Sequence, residues 1–254
     1  MFRLQLAISL LFTVTSIFAQ ELPVGTAIPI MLNSGVNAKK DKVGQKLEGK
    51  VMQEIALPSG AKIKSGSQVR GHIVDVTPPA AGGSRVVMTF DELDDHGHTI
   101  PLIVSLRAVA SFESVYQARL PIGASSNSEA TDEWVTRQVG GDVVNRGRGA
   151  VASSAGIVGR WSGGVWAKLT PAPQAGCPAE DDNESEQSLW IFSTSACGAY
   201  GLRDLKLTHT GRTDPVGMIT LASTKDLLIR GGSGWLLLVA RASPPPLTKP
   251  AVGQ

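Results

Sequence analysis

Apolar and polar positions alternate with a period of two through most of the first 107 residues, the signature of strands with one face buried and one wet. In 27–33, Ile28, Ile30 and Leu32 share a face. In 46–55, Leu47, Gly49, Val51 and Ile55 lie opposite Lys46, Glu48, Lys50 and Glu54. The pattern predicts further strands over 85–93, through Val86, Met88 and Phe90, and over 99–106, through Ile100, Leu102, Val104 and Leu106. Between them Pro58-Ser59-Gly60, Ser65-Gly66-Ser67, Pro78 to Gly83 and Asp94-Asp95-His96-Gly97 supply turn chemistry: proline presets φ and glycine tolerates positive φ. Closely spaced strands with short turns predict an antiparallel barrel or sandwich without helical crossovers.

From about residue 108 the period is lost. Gly140-Gly141, Gly147, Gly149, Gly163-Gly164 and Gly176 interrupt every run, and Trp134, Trp161, Trp166, Trp190, both cysteines and the acidic stretch 180–184 fall here. Strand signal returns at 218–222 and in 235–239, where Leu236, Leu237 and Leu238 form the continuous apolar run of a strand covered on both faces. The expected division is a leader at 1–19, the first part of a barrel at 22–107, a glycine-rich insertion at 108–215, closing strands at 216–241 and a proline-rich tail at 242–254.

The leader follows from Arg3 and the apolar run 4–18, broken only by Gln5, Ser9, Thr13, Thr15 and Ser16, with the small Ala19 before Gln20-Glu21. That order is a secretory signal peptide; the run is shorter than the roughly 20 residues of a membrane span. Export makes the address periplasmic or extracellular, with no integral membrane span after cleavage. Loss of Arg3 with the leader leaves 23 basic against 22 acidic residues, a net +1 that gives no field to recruit nucleic acid. Cys177 and Cys197, the only cysteines, form an even count in an exported chain and are expected to pair. Closing a loop of that size constrains the unfolded chain by about 3 kcal/mol.

The order of turns carries a resemblance. Gly25-Thr26 before a short strand, the Lys42-Val43-Gly44-Gln45 turn, the strand 47–55, Pro58-Ser59-Gly60, the glycine-flanked 65–71, then 82–93 and a hairpin into Ile100-Pro101-Leu102 resemble the barrel domain of the TrbI-like scaffold proteins of conjugation and type IV secretion. Residues 229–234, ahead of the run 235–241, are similar to that family's closing strand, and the hairpin is expected to pair 85–93 with 99–106. The resemblance implies a mainly β fold, an antiparallel TrbI-like barrel with an irregular disulfide-clipped insertion. Those scaffolds have a membrane anchor and proline-rich arm before the barrel and an apolar helical antenna inside it. Here a leader precedes the barrel and the insertion is polar, so the chain is also similar to exported bacterial proteins that use this barrel with another insertion.

Candidate chemistry is sparse. Asp94, Asp95, His96 and His98 are metal-ligand types, yet their place between two alternating strands favours a hairpin turn. Cys197 with His209 resembles a thiol and its base, but Cys177 is available to close a disulfide, which leaves no nucleophile. Gly231-Gly232-Ser233-Gly234 lacks the final glycine of a nucleophile elbow, since position 235 is Trp. Arg146-Gly147-Arg148-Gly149 is one copy of an RNA-binding repeat in a near-neutral protein and reads as a loop. Trp161, Trp166 and Trp190 offer faces for stacking a sugar, against the competing role of core anchors in a segment with few other large residues.

The sequence therefore points to an exported, non-catalytic, envelope-associated protein with a scaffolding or adhesion role. Its partner would be an envelope protein or a cell-surface polysaccharide, with no cofactor and no metal. A carbohydrate-binding module using the insertion's tryptophans is the alternative, and a thiol hydrolase the more remote one. Cleavage is expected after Ala19, and mass spectrometry of the exported protein should find Gln20 at its N-terminus; an intact Met1 in the membrane fraction would refute the leader and the export argument together.

Overall fold

The structure, a computed structural model, describes residues 22–80, 82–122, 134–146, 149–153, 156–161, 164–171, 177 and 185–241. The leader 1–19, the acidic run 180–184 and the tail 242–254 lie outside the described residues. The fold is mainly β, built on a ten-stranded sheet that curls until it nearly closes.

The circuit runs from Val104–Ala110 to Gly234–Val239, then Ala27–Leu32, Lys46–Val51, Gln68–Ala80, Gly83–Asp95, Ile219–Ser223 and Leu205–His209, each antiparallel to the next. The ends meet where the Leu106 N–H donates to the Thr210 carbonyl at 2.8 Å. Farther along that edge Gly198–Tyr200 pairs in parallel with residues 108–110. Closure of this kind leaves few backbone donors and acceptors unpaired at an edge.

Alternation does what the sequence pattern requires. Lys46–Val51 is strictly exposed and buried in turn, with Leu47, Gly49 and Val51 inside. Val86, Met88 and Phe90 line the interior with Ile28, Ile30 and Trp235. The Trp235 ring meets Phe90 edge-on at 5.9 Å, and its indole N–H donates to Ser233 Oγ at 2.9 Å, so both its faces and its polar tip are accommodated. Gly71 is required by a close approach: a Cβ there would lie 2.0 Å from the Thr89 carbonyl oxygen, at a register shift beside Phe90.

The expected partnership of 85–93 with 99–106 is only partly present. His98–Pro101 pairs with residues 92–95, and then the chain leaves its neighbour. Val104–Ala110 is buried along its whole length and pairs instead with Gly234–Val239. Strand character thus continues past residue 107, hidden from a period-two reading because both faces are covered.

The segment 108–215 contains more regular structure than its broken pattern signals. After the helix Phe112–Arg119, N-capped by Ser111 Oγ on the Ser114 N–H, a six-stranded antiparallel sheet runs in chain order from Trp134–Arg137 to Gln187–Ser188. Its strands are short, two to six residues, which is why glycines appear to interrupt everything. A second apolar cluster separates this sheet from the barrel: Val144, Val151, Val165, Trp190 and Phe192 pack with Ala108, Ala110, Leu236 and Leu238. Gly234–Val239 is therefore covered on both faces, Trp235, Leu237 and Val239 facing the barrel core and Leu236 and Leu238 the second core.

A chain truncated after Val109 should aggregate, because it lacks the strand that pairs with both Ala27–Leu32 and Val104–Ala110 and leaves two edges open. A soluble fragment with a cooperative melting transition would contradict this account of closure.

Candidate functional site

Three buried polar side chains, Gln53, Arg107 and Gln187, lie along the seam between barrel and insertion. Gln53 follows Lys46–Val51 and sits on the buried parity of that strand, 1% exposed. Its Oε1 accepts the N–H groups of Trp190 at 2.6 Å and Val165 at 3.1 Å, and its Nε2 donates to the Val165 carbonyl at 3.1 Å. One barrel side chain thus satisfies three backbone groups of the insertion. Gly164 makes room for it: a Cβ at that position would fall 2.0 Å from Gln53 Oε1.

Arg107 does the same on the other side. The register between Val104–Ala110 and Gly234–Val239 shifts across it, Leu236 facing Ala108 and Leu237 facing Leu106, so the extra residue turns its side chain toward the insertion. Nε donates to the Ala196 carbonyl at 2.9 Å and Nη2 to the Thr170 carbonyl at 2.7 Å. Burial, reinforced by the nearby charge of Arg212, lowers its pKa to about 10, which leaves it protonated at neutral pH. In the opposite direction, insertion Gln187 Oε1 accepts the Ala27 N–H at 3.0 Å, at the start of the first barrel strand.

Beside this seam opens a cleft of about 790 Å³, bounded by Pro23, Val24, Leu57 and Leu238 of the barrel, by Leu169 and Gln187 of the insertion, and by Arg212. Burial pushes the Arg212 pKa down. Glu186, at the same cleft, pairs with Arg160, whose guanidinium lies 5.7 Å from the Trp166 ring centre. The cleft offers apolar walls and a guanidinium; its described lining holds no histidine, cysteine or lysine.

The residues singled out in the sequence are scattered. Cys177 and Cys197 are joined in a disulfide, with Cα atoms 6.2 Å apart. His209, on Leu205–His209, lies against the Pro215 carbonyl through Nε2 at 3.1 Å. Asp95 and His98 close a hairpin whose tip is His96 and Gly97, both at positive φ. There Asp94 accepts the Gly97 N–H at 2.7 Å and an Arg70 N–H at 2.9 Å, which hold its carboxyl below the ordinary range. Asp95 accepts from Ser67 Oγ and the Lys64 N–H, and its pKa is also lowered. Among the described residues no group of three or more His, Cys, Asp or Glu is arranged to hold a metal. Trp166 and Trp190 are 3% and 6% exposed, and the Trp161 side chain lies outside the described residues. Ser233 is fully buried and receives the Trp235 indole N–H.

Sequence reasoning missed Gln53, Arg107 and Gln187. Gln53 was detectable as a polar residue on the apolar parity of 47, 49, 51 and 55; Arg107 and Gln187 left no comparable signal. The chain matches no protein-family model, no curated protein and no solved structure.

Replacing Gln53 with Leu should lower stability by about 2–4 kcal/mol, since it strands two buried N–H groups, each costing roughly 1–3 kcal/mol with partial relaxation, while the Val165 carbonyl keeps the Leu189 N–H. Urea denaturation measures it; a loss below about 1 kcal/mol would show that the seam tolerates the loss of these bonds.

Proposed function

We propose that this chain is an exported, non-catalytic protein of the cell envelope, a TrbI-like barrel that serves as a scaffold or adhesion module and uses its insertion for specificity. The observation that carries the reading is the use to which polar groups are put. Gln53, Arg107 and Gln187 bind backbone across the seam, Asp94 and Asp95 hold a hairpin tip, and the two cysteines bind each other. Each of these groups is engaged in a structural contact, and the cleft beside the seam presents walls suited to binding.

The disulfide also favours an envelope location, since such bonds belong to oxidising compartments. The barrel supplies a platform and the disulfide-clipped layer the surface for specificity, a division of labour common where function sits on elements grafted to a stable fold.

The cysteines separate the structural from the catalytic reading. Cys177→Ser and Cys197→Ser should behave alike, each losing about 2–5 kcal/mol, with early proteolysis in 108–215 and no change in any hydrolytic activity. Were Cys197 a nucleophile served by His209, Cys177→Ser would be silent while Cys197→Ser abolished turnover at unchanged stability. Thiol counting under non-reducing denaturation completes the test, and two free thiols in protein taken from the periplasm would overturn the structural role.

A further inference from the structure

The outer face of the helix Phe112–Arg119 is not that of a solvated helix. Val115 and Ala118 turn inward to the second core, while the side turned to solvent carries Phe112, Tyr116 and Leu120, which are 44%, 52% and 39% exposed. Residues four apart lie one above another on a helix, so these three form a single stripe. With Ile122 just beyond it, the stripe presents roughly 350 Å² of mostly apolar surface, a size at which a patch on a monomer is often functional. It is also held in place. Ser111 Oγ accepts the Ser114 N–H at 3.1 Å to cap the helix. The Phe112 ring lies on the bare backbone of Gly232, where a Cβ would fall 2.8 Å from Phe112 Cδ2, and the Arg230 guanidinium stands 5.5 Å from the ring centre. Docking on a surface fixed in this way costs little ordering entropy.

The charges beside the stripe select what covers it. Glu113 and Arg119 are both exposed; Glu113 accepts from Gln117 Nε2 at 2.7 Å, and neither residue joins an ion pair among the described residues. They do not reach each other, being about 9 Å apart along the axis and outside the spacing of three or four at which helical side chains meet. Both are, however, three residues from Tyr116, one on each side, just as Phe112 and Leu120 are four residues from it. Turning a second copy end over end about Tyr116 lays apolar on apolar and brings each Glu113 level with Arg119 of the other copy. The two helix dipoles then run antiparallel, acidic N-terminus beside basic C-terminus. A foreign helix would have to reproduce this spacing, whereas a second copy carries it already.

We propose that the chain self-associates through this helix, two copies packing antiparallel about a two-fold axis at Tyr116, with Glu113 of each opposite Arg119 of the other. The interface is isologous and therefore closes as a dimer. The two stripes together bury about 700 Å² before the polar rim is counted, under the roughly 1,200 Å² of a stable complex, so the dimer is weak and reversible. The pairing uses only the helix and stands whether or not the barrel serves as a scaffold.

Sedimentation velocity of the full mature protein at low salt tests it. The weight-average mass should rise from monomer toward dimer between about 10 μM and 1 mM. Tyr116→Asp should weaken association by about tenfold or more, while Val43→Asp, at an exposed apolar residue of the barrel, should leave it unchanged. Glu113→Arg and Arg119→Glu should each weaken self-association about fivefold, because each sets like charges across the seam at two places. An equimolar mixture of those two variants restores both opposite-charge pairs and should associate at least as well as wild type. Melting curves establish that each variant is folded; if Tyr116→Asp is not, the charge variants decide alone. A protein that stays monomeric across that range, association indifferent to Tyr116→Asp, or a mixture no tighter than its separate components would each overturn the proposal.

Discussion

The structure depends on the strand Gly234–Val239 having two interiors to face. Each of its large apolar side chains, once buried, contributes about 1.5–3 kcal/mol, so the run from Trp235 to Val239 carries a gross stabilisation comparable to the net stability of a domain. Trp235, Leu237 and Val239 are spent inside the barrel and Leu236 and Leu238 outside it. A register slip of one residue would exchange the two sets and place Trp235 where a Leu fits. The strand also comes near the end of the chain while pairing with Ala27–Leu32 near its beginning and with Val104–Ala110 in its middle, so the barrel cannot be completed until the insertion has been made.

That order explains the seam. The outer face of the closing strand would be an exposed hydrophobic stripe on a bare barrel, and the insertion is the layer that covers it. Apolar contact alone allows many relative positions of two sheets, because dispersion and burial have little direction. Gln53, Arg107 and Gln187 supply direction by matching particular backbone groups across the gap. A sliding motion of even one residue would strand several buried donors and acceptors at once.

The legibility of these features in the sequence follows the same physics. Strands with one wet face, such as Lys46–Val51, announce themselves because Lys46, Glu48 and Lys50 alternate with Leu47, Gly49 and Val51. The hairpin tip at His96-Gly97 is equally legible, since a tight turn needs positive φ and local polar caps. Val104–Ala110 is less so: once both faces are covered, alternation disappears and Arg107, aimed by a register shift, looks like an ordinary surface charge. The insertion's six-stranded sheet is hardest to see because its strands are too short for a period to establish itself, and what holds them is contact with the barrel.

A buried arginine at the seam needs a reason, since hydrophobic residues of similar size would cost less to desolvate. Carbonyl oxygens of Ala196 and Thr170, both outside the regular strands of the insertion, supply it. Chain that forms no ladder leaves acceptors without partners, and a guanidinium can serve several of them from one anchor point on a rigid strand. The next residues after Ala196 are Cys197, in the disulfide, and then Gly198–Tyr200, which covers the edge of the very strand that carries Arg107. Arginine, disulfide and parallel strand therefore act on one short stretch, fixing irregular backbone to the barrel edge where regular pairing is too brief to do so.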